Sequence, residues 1–249
     1  MSRNRRILIL LTVLALVAGT TLWERLWVRG WTRPLEVAIY PVAMDEASAV
    51  FVAQLKVEDF QEIGAFLESE APRWRKNAMP TPHILLKMPL RVVPPLAQPH
   101  SVLEAVQSSL RLRWYAFHQT PFWSGLGTVR LFVLYHPLQF NQALPDSHGL
   151  QKGLLGVVHV FASDTQRAQN NVVMAHELLH TLGATDKYDT NGQPLYPAGL
   201  ADPNAEPPYP QHKAEIMGGR IALSPVRAEM PKDLGEAVIG YATAAEIGW

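Results

Sequence analysis

The sequence predicts an α+β fold: one domain of mixed sheet and helices over residues 32–249, behind an N-terminal transmembrane helix within residues 1–31. Three observations carry that expectation. An apolar run follows a basic N-terminus, strand-like and helix-like apolar periodicities alternate along the rest of the chain, and one helix-period segment near residue 175 holds two histidines a turn apart.

Composition bounds the chemistry first. The 249 residues carry 22 Lys+Arg against 22 Asp+Glu, with 48% hydrophobic and 18% charged residues. That balance argues against a disordered or polybasic chain, and so against nucleic acid as a partner. There is no cysteine, which removes disulfides, thiolate zinc sites, iron–sulfur clusters and a cysteine nucleophile together. A bound metal must be held by His, Asp or Glu.

Arg3, Arg5 and Arg6 precede an apolar run from Ile7 to Trp23, interrupted only by Thr12, Gly19, Thr20 and Thr21, before Glu24 and Arg25 restore charge. Its 17 residues sit at the short end of the ~17–25 that span a bilayer as a helix, and above the ~7–15 of a cleaved signal's apolar region. An uncleaved anchor is therefore expected, with cleavage near residues 18–20 as the alternative. Trp23, Trp27 and Trp31 read as interfacial aromatics at its far edge. The leading basic cluster favours a cytoplasmic N-terminus, which gives a single-pass protein of the cell membrane whose domain is extracytoplasmic, periplasmic or extracellular.

Residues 35–42 (LEVAIYPV) read as a strand, and residues 57–70 as an amphipathic helix with Phe60, Ile63 and Leu67 at three-to-four spacing. Residues 83–93 alternate enough for a strand, but the prolines in and around them confine it to an edge. Ser101 with Glu104 three residues on marks a helix start, so residues 101–118 form a second helix; the aromatics Trp114, Tyr115, Phe117, Phe122 and Trp123 are expected in the core. Residues 128–135 and 154–162 read as strands, and residues 169–182 as a buried helix stopped by Gly183. Residues 189–225 are rich in Pro, Gly and Asn, and irregular chain of that length is usually functional or disordered. Residues 233–247 end the chain as a helix.

The chemistry lies in HELLHTLGATD. His176, Glu177 and His180 form H-E-x-x-H inside the expected helix, where histidines at i and i+4 share one face and can converge on one ion. Zinc suits imidazole nitrogen, and a catalytic zinc needs three protein ligands with the fourth position left to water. Such an ion lowers the pKa of water to about 7, and Glu177 beside it is the candidate general base. Gly183 ends the helix and returns the chain, making Asp186 the candidate third ligand, with Asp189, His212 and Glu215 as alternatives. Asp186 and Asp189 would also suit calcium.

This stretch resembles the metzincin metallopeptidases, with the extended motif H-E-x-x-H-x-x-G-x-x-D. The run Asp186, Lys187, Tyr188, Asp189 makes it similar to the immune inhibitor A type, and Asp at the third position also to snapalysins. Glu215-Ile216-Met217-Gly218-Gly219 is similar to the family's methionine turn, with Met217 as a support and not a ligand. The resemblance spans residues 154–219 and implies a metzincin-like zinc peptidase domain, a mixed sheet with an active-site helix, in which residues 154–162 are the edge strand beside the substrate. It departs from the family at Gly219, where many members carry a tyrosine that stabilises the tetrahedral intermediate; Tyr188 is the candidate substitute.

The expected protein is thus a membrane-anchored zinc metallopeptidase acting on protein or peptide substrates through a zinc-activated water. The metal ligands are His176, His180 and Asp186, Glu177 is the catalytic residue, and Zn2+ is the cofactor. Two other readings share the same residues: a non-catalytic zinc-containing binding module of the cell envelope, and a zinc amidase acting on a non-peptide envelope substrate.

Overall fold

Parallel strands covered on both faces need continuous apolar runs, and TVRLFVLYH and LGVVHVF supply them. The computed structural model describes residues 27–95, 101–120, 127–138, 147–150 and 154–249, together with isolated residues of the N-terminal run. Five strands form the main sheet: β1 (Glu36–Ala43), β2 (His83–Leu86), β3 (Thr128–His136), β4 (His148–Leu150) and β5 (Leu155–Phe161). Their order is β2-β1-β3-β5-β4. The pairs β1–β2, β1–β3 and β3–β5 are parallel, while β4 runs antiparallel to β5 with Gly149 opposite Gly156. The class is therefore α+β with a mixed, mainly parallel sheet.

Helices α1 (Glu46–Val52), α2 (Gln61–Glu70), α4 (Arg167–Leu182) and α5 (Tyr241–Ile247) lie on one side of this sheet, and α3 (Val102–Gln119) on the other. On the first side Val37, Ile39, Leu131 and Val133 meet Ile63, Leu67, Leu178 and Leu182 in the larger core. On the second, Leu112, Tyr115 and Ala116 of α3 pack on Tyr40, Phe132 and Leu134. Alternate residues of each strand serve the two cores, as the pleat requires.

Ser101 caps α3 as expected, its hydroxyl accepting from Glu104 N–H at 3.2 Å. The aromatics of that helix are divided, however. Tyr115 is in the core, but Trp114 is 68% and Phe117 53% exposed, because a helix on the outer face of a sheet can turn only one stripe inward. Phe122 and Trp123 lie outside the described residues.

Other expectations are corrected by pairing and by glycine. Residues 154–162 are not the sheet edge: β4 covers Leu155–Val157, and only three residues long it leaves no periodic signal in the sequence. Residues 83–93 pair as a strand only over His83–Leu86, with Leu90 adding a single bridge to Val42, since the prolines lack donors. The expected helix over 233–247 divides at Gly240 into a 3₁₀ turn (Leu234–Glu236), β9 (Ala237–Val238) and α5. Strand β9 pairs in parallel with β6 (Ala214–Glu215), and β7 (Ile221–Ser224) pairs with β8 (Arg227–Glu229).

Trp31, expected at a membrane interface, is instead 2% exposed. Its indole N–H donates to Ile247 O at 2.8 Å and its ring meets Trp249 edge-on at 5.3 Å, so the segment before β1 locks the last helix. The apolar run expected to span the membrane lies largely outside the described residues, and among those described no helix is long and apolar enough to cross a membrane.

Candidate metal centre

The apolar residues of α4 turn inward: Met174, Ala175, Leu178, Leu179 and Leu182 are all buried in the core beneath the sheet. That orientation leaves His176 and His180 on the face toward the irregular 189–225 segment, their side chains 12% and 15% exposed. The two rings stand edge to face with centroids 4.7 Å apart. Glu177 is 4% exposed, and its charge acts on His180.

Hydrogen bonds decide which nitrogen of each ring is available. His176 Nδ1 lies 2.8 Å from Ile216 O, and His180 Nδ1 lies 2.9 Å from Ala184 O. A carbonyl only accepts, so both Nδ1 atoms carry the proton and donate. In the neutral rings both Nε2 atoms then present lone pairs. They face the same carboxylate oxygen: Asp186 Oδ1 is 3.1 Å from His176 Nε2 and 3.0 Å from His180 Nε2.

The helix terminus supplies this geometry. Gly183 has φ 113°, a left-handed conformation open to glycine, and the reversal it makes is closed by Gly183 N–H to His180 O at 3.1 Å and Ala184 N–H to Leu179 O at 3.0 Å. The same reversal brings Ala184 O under His180 and Asp186 across from both rings. Burial opposes ionisation of Asp186, but its bonds to His176 and His180 and their charges outweigh that and hold its carboxyl far below the usual range. Burial likewise disfavours a charged His180, yet Asp186, Glu177 and Ala184 O together raise its pKa above the ordinary value.

The 215–219 turn is built around Glu215. Its carboxylate, fully buried, accepts from Met217 N–H (2.7 Å), Gly218 N–H (2.9 Å), Gly240 N–H (3.0 Å) and Thr243 Oγ1 (2.6 Å). Burial pushes that carboxyl up, and the bonds from Thr243, Gly240 and Gly218, with the charge of Lys187, act against the push. Gly218 is required by close approach: a Cβ there would stand 2.4 Å from Gly199 O. Met217 is fully buried in the main core, and Ile216, just before it, supplies the carbonyl that orients His176.

A second brace holds the 184–188 loop. Lys187, 4% exposed, donates to Glu246 Oε2 and to Thr185 O, each at 2.8 Å. Glu246 also accepts from Thr185 N–H at 2.9 Å and Thr185 Oγ1 at 2.8 Å. Lys187 N–H to Met217 O at 2.9 Å then ties this loop to the 215–219 turn.

His176, His180 and Asp186 are, among the described residues, the group of His and acidic side chains with ligand atoms close enough to share a metal, all within 4.8 Å of one another. The alternative third ligands are engaged elsewhere. Asp189 caps its own turn, accepting from Asn191 and Gln193 N–H at 2.8 and 2.9 Å. Glu215 is spent on the turn beneath, and His212 lines a separate cavity with Asp202, Glu206 and Lys213. Tyr188 stacks on His176 at 6.2 Å and covers Gly219, where a Cβ would lie 3.8 Å from the Tyr188 ring. Sequence reasoning missed the Lys187–Glu246 brace and the pairing of His136 Nε2 with His159 Nδ1 at 2.8 Å. The latter pair lies across β3 and β5, on the face away from α4, and adjacent strands give no sequence signal of which residues will be neighbours.

Comparison with protein-family models and with curated protein sequences finds no match to this chain. The functional reading therefore stands on the residues.

Glu246→Gln is expected to lower stability by about 1–3 kcal/mol, since it leaves the Lys187 ammonium buried without its counter-charge. Burial disfavours the ionised Glu246, but Lys187 and Thr185 outweigh it and lower the pKa. A lowered folded-state pKa gives stability that is present above the ordinary glutamate value and is lost as pH falls through the folded one. Urea melts of wild type and variant should thus differ fully near neutrality and converge only once pH has fallen well below the ordinary glutamate range.

Proposed function

We propose that this chain is a metzincin-like zinc metallopeptidase, held at the membrane by its N-terminal apolar run and hydrolysing peptide bonds outside the cytoplasm. The observation that carries the reading is the convergence of three acceptor atoms, His176 Nε2, His180 Nε2 and Asp186 Oδ1, at separations of 3.0–3.1 Å from oxygen to nitrogen. Lone pairs repel at that distance unless a cation or protons stand among them. Two ligands ~2.0 Å from a tetrahedral centre are about 3.3 Å apart, close to the two oxygen-to-nitrogen separations, and the donor set of two imidazoles and a carboxylate suits zinc in its chemistry. Three protein donors leave a fourth position open, as in catalytic zinc sites and unlike structural ones, which favours an enzyme over a binding module.

Zinc held by His176, His180 and Asp186 would supply a Lewis acid able to polarise a carbonyl and to lower the pKa of water. Glu177, next to His176 on the same helix, takes the proton from that water and returns it to the leaving amine. Tyr188, whose ring lies over Gly219 beside His176, serves as donor to the developing oxyanion, the role that many metzincins give to a tyrosine at the position of Gly219. Met217 and its turn act by holding Ile216 O against His176. Substrate in extended form adds to β4, the end strand of the sheet among the described residues, in place of residues 154–162, because β4 occupies that side of β5.

Glu177→Ala is expected to keep bound zinc and lose at least about two orders of magnitude in kcat on an unstructured peptide. Near-normal turnover by that variant would remove Glu177 from the mechanism. Tyr188→Phe should lower kcat by about 10²-fold with KM little changed, since the hydroxyl acts on charge formed only in the transition state. A variant that raises KM alone would make Tyr188 a binding residue.

A further inference from the structure

A cavity of about 250 Å³ opens beside His176, walled by Val172 and Val173 of α4, Ile216, Tyr188 and Met230. The walls are mostly apolar, but Arg220 also lines the space. Its guanidinium lies across Gly192: a Cβ at that glycine would stand 3.6 Å from Nε and 3.7 Å from Cζ. The backbone of Gly192 thus gives the arginine a flat seat at the cavity.

Arg220 is half-buried, and among the described residues no carboxylate is within ion-pair distance of it. The nearby acids are committed, Asp186 to the two histidines and Asp189 to the N–H groups of Asn191 and Gln193. Lys187 makes the contrast, since its buried ammonium is matched by Glu246 and braces a loop. Arg220 therefore stands, among the described residues, without a carboxylate partner, beside apolar walls and in the cavity that His176 also lines. It is placed to meet an anionic group that arrives on an apolar stem, and a guanidinium is suited to a carboxylate through two parallel hydrogen bonds.

We propose that this cavity receives the substrate side chain adjoining the scissile bond and that Arg220 selects an acidic one, so that the substrates are peptides cut beside glutamate or aspartate. The inference rests on the peptidase reading for what is cut, but its binding preference belongs to Arg220 and is measured separately. A glutamine in the same place keeps the stem and loses the charge, and a lysine is repelled.

The test uses the full-length Glu177→Ala chain in detergent, loaded with zinc, and two dansyl-labelled, amide-capped alanine-based heptapeptides that differ only in a central Glu or Gln. Fluorescence anisotropy should give about tenfold tighter binding of the Glu peptide at low salt, a preference that shrinks as salt rises. Arg220→Leu should abolish the preference and Arg220→Lys should keep part of it, since a ratio of two affinities is insensitive to a small loss of folded protein. Equal binding of the two peptides, binding of neither, or a preference that survives in Arg220→Leu would overturn the proposal. Cleavage of mixed peptides by wild type without any Glu preference would remove this inference and leave the peptidase reading. A Glu preference without any cleavage would do the reverse.

Discussion

Two backbone carbonyls fix the geometry of the candidate metal centre. Ile216 O and Ala184 O each accept a hydrogen bond from a histidine Nδ1, and that choice of tautomer turns both Nε2 lone pairs toward Asp186. Had either ring been flipped, Asp186 Oδ1 would not face an Nε2 lone pair of each ring at 3.0–3.1 Å. Both carbonyls follow the histidines in the chain, one at short and one at long separation. One lies just past the end of the helix that bears the histidines, and the other on a turn 40 residues after His176.

Much of the remaining architecture fixes those two carbonyls. Gly183 reverses the chain so that Ala184 returns beneath His180. Glu215, by accepting from two N–H groups of its own turn and from Gly240 and Thr243, joins the Ile216 carbonyl to the start of α5. Helix α5 in turn carries Glu246, which holds Lys187 and Thr185 beside Asp186. Trp31, far away in sequence, completes the frame by bonding Ile247 at the end of that helix. The candidate metal centre is therefore supported from a helix, two turns and the C-terminal segment, and such outer support orients ligands as much as the ligands themselves do.

The parts legible in the sequence are those whose signal is local. His176, Glu177, His180, Gly183 and Asp186 lie within eleven residues, and helix periodicity plus a C-terminal glycine suffices to bring them together. The apolar runs of β1, β3 and β5 are similarly self-evident, because parallel strands covered on both faces cannot hide their composition. What stayed illegible depends on partners distant in the chain. Strand β4 is three residues whose place follows from β5, and β9 interrupts an otherwise helical pattern because β6 pairs with it. Glu215 read as an alternative ligand, since nothing local reveals that donors of its own turn and of the start of α5 together surround it. Lys187 and Glu246, 59 residues apart, and Arg220 against Gly192 show the same limit. Trp31 erred in the opposite sense, since an indole beside an apolar run looks interfacial until Ile247 and Trp249 are seen to enclose it.

The most direct test of the account is X-ray absorption at the zinc edge on the full-length protein purified with zinc. The account predicts one ion per chain, with a first shell of two imidazole nitrogens and oxygen donors at ~2.0–2.2 Å, and loss of the bound ion in His180→Ala. Folded protein that takes up no zinc, or a first shell without imidazole that is unchanged in His180→Ala, would contradict it.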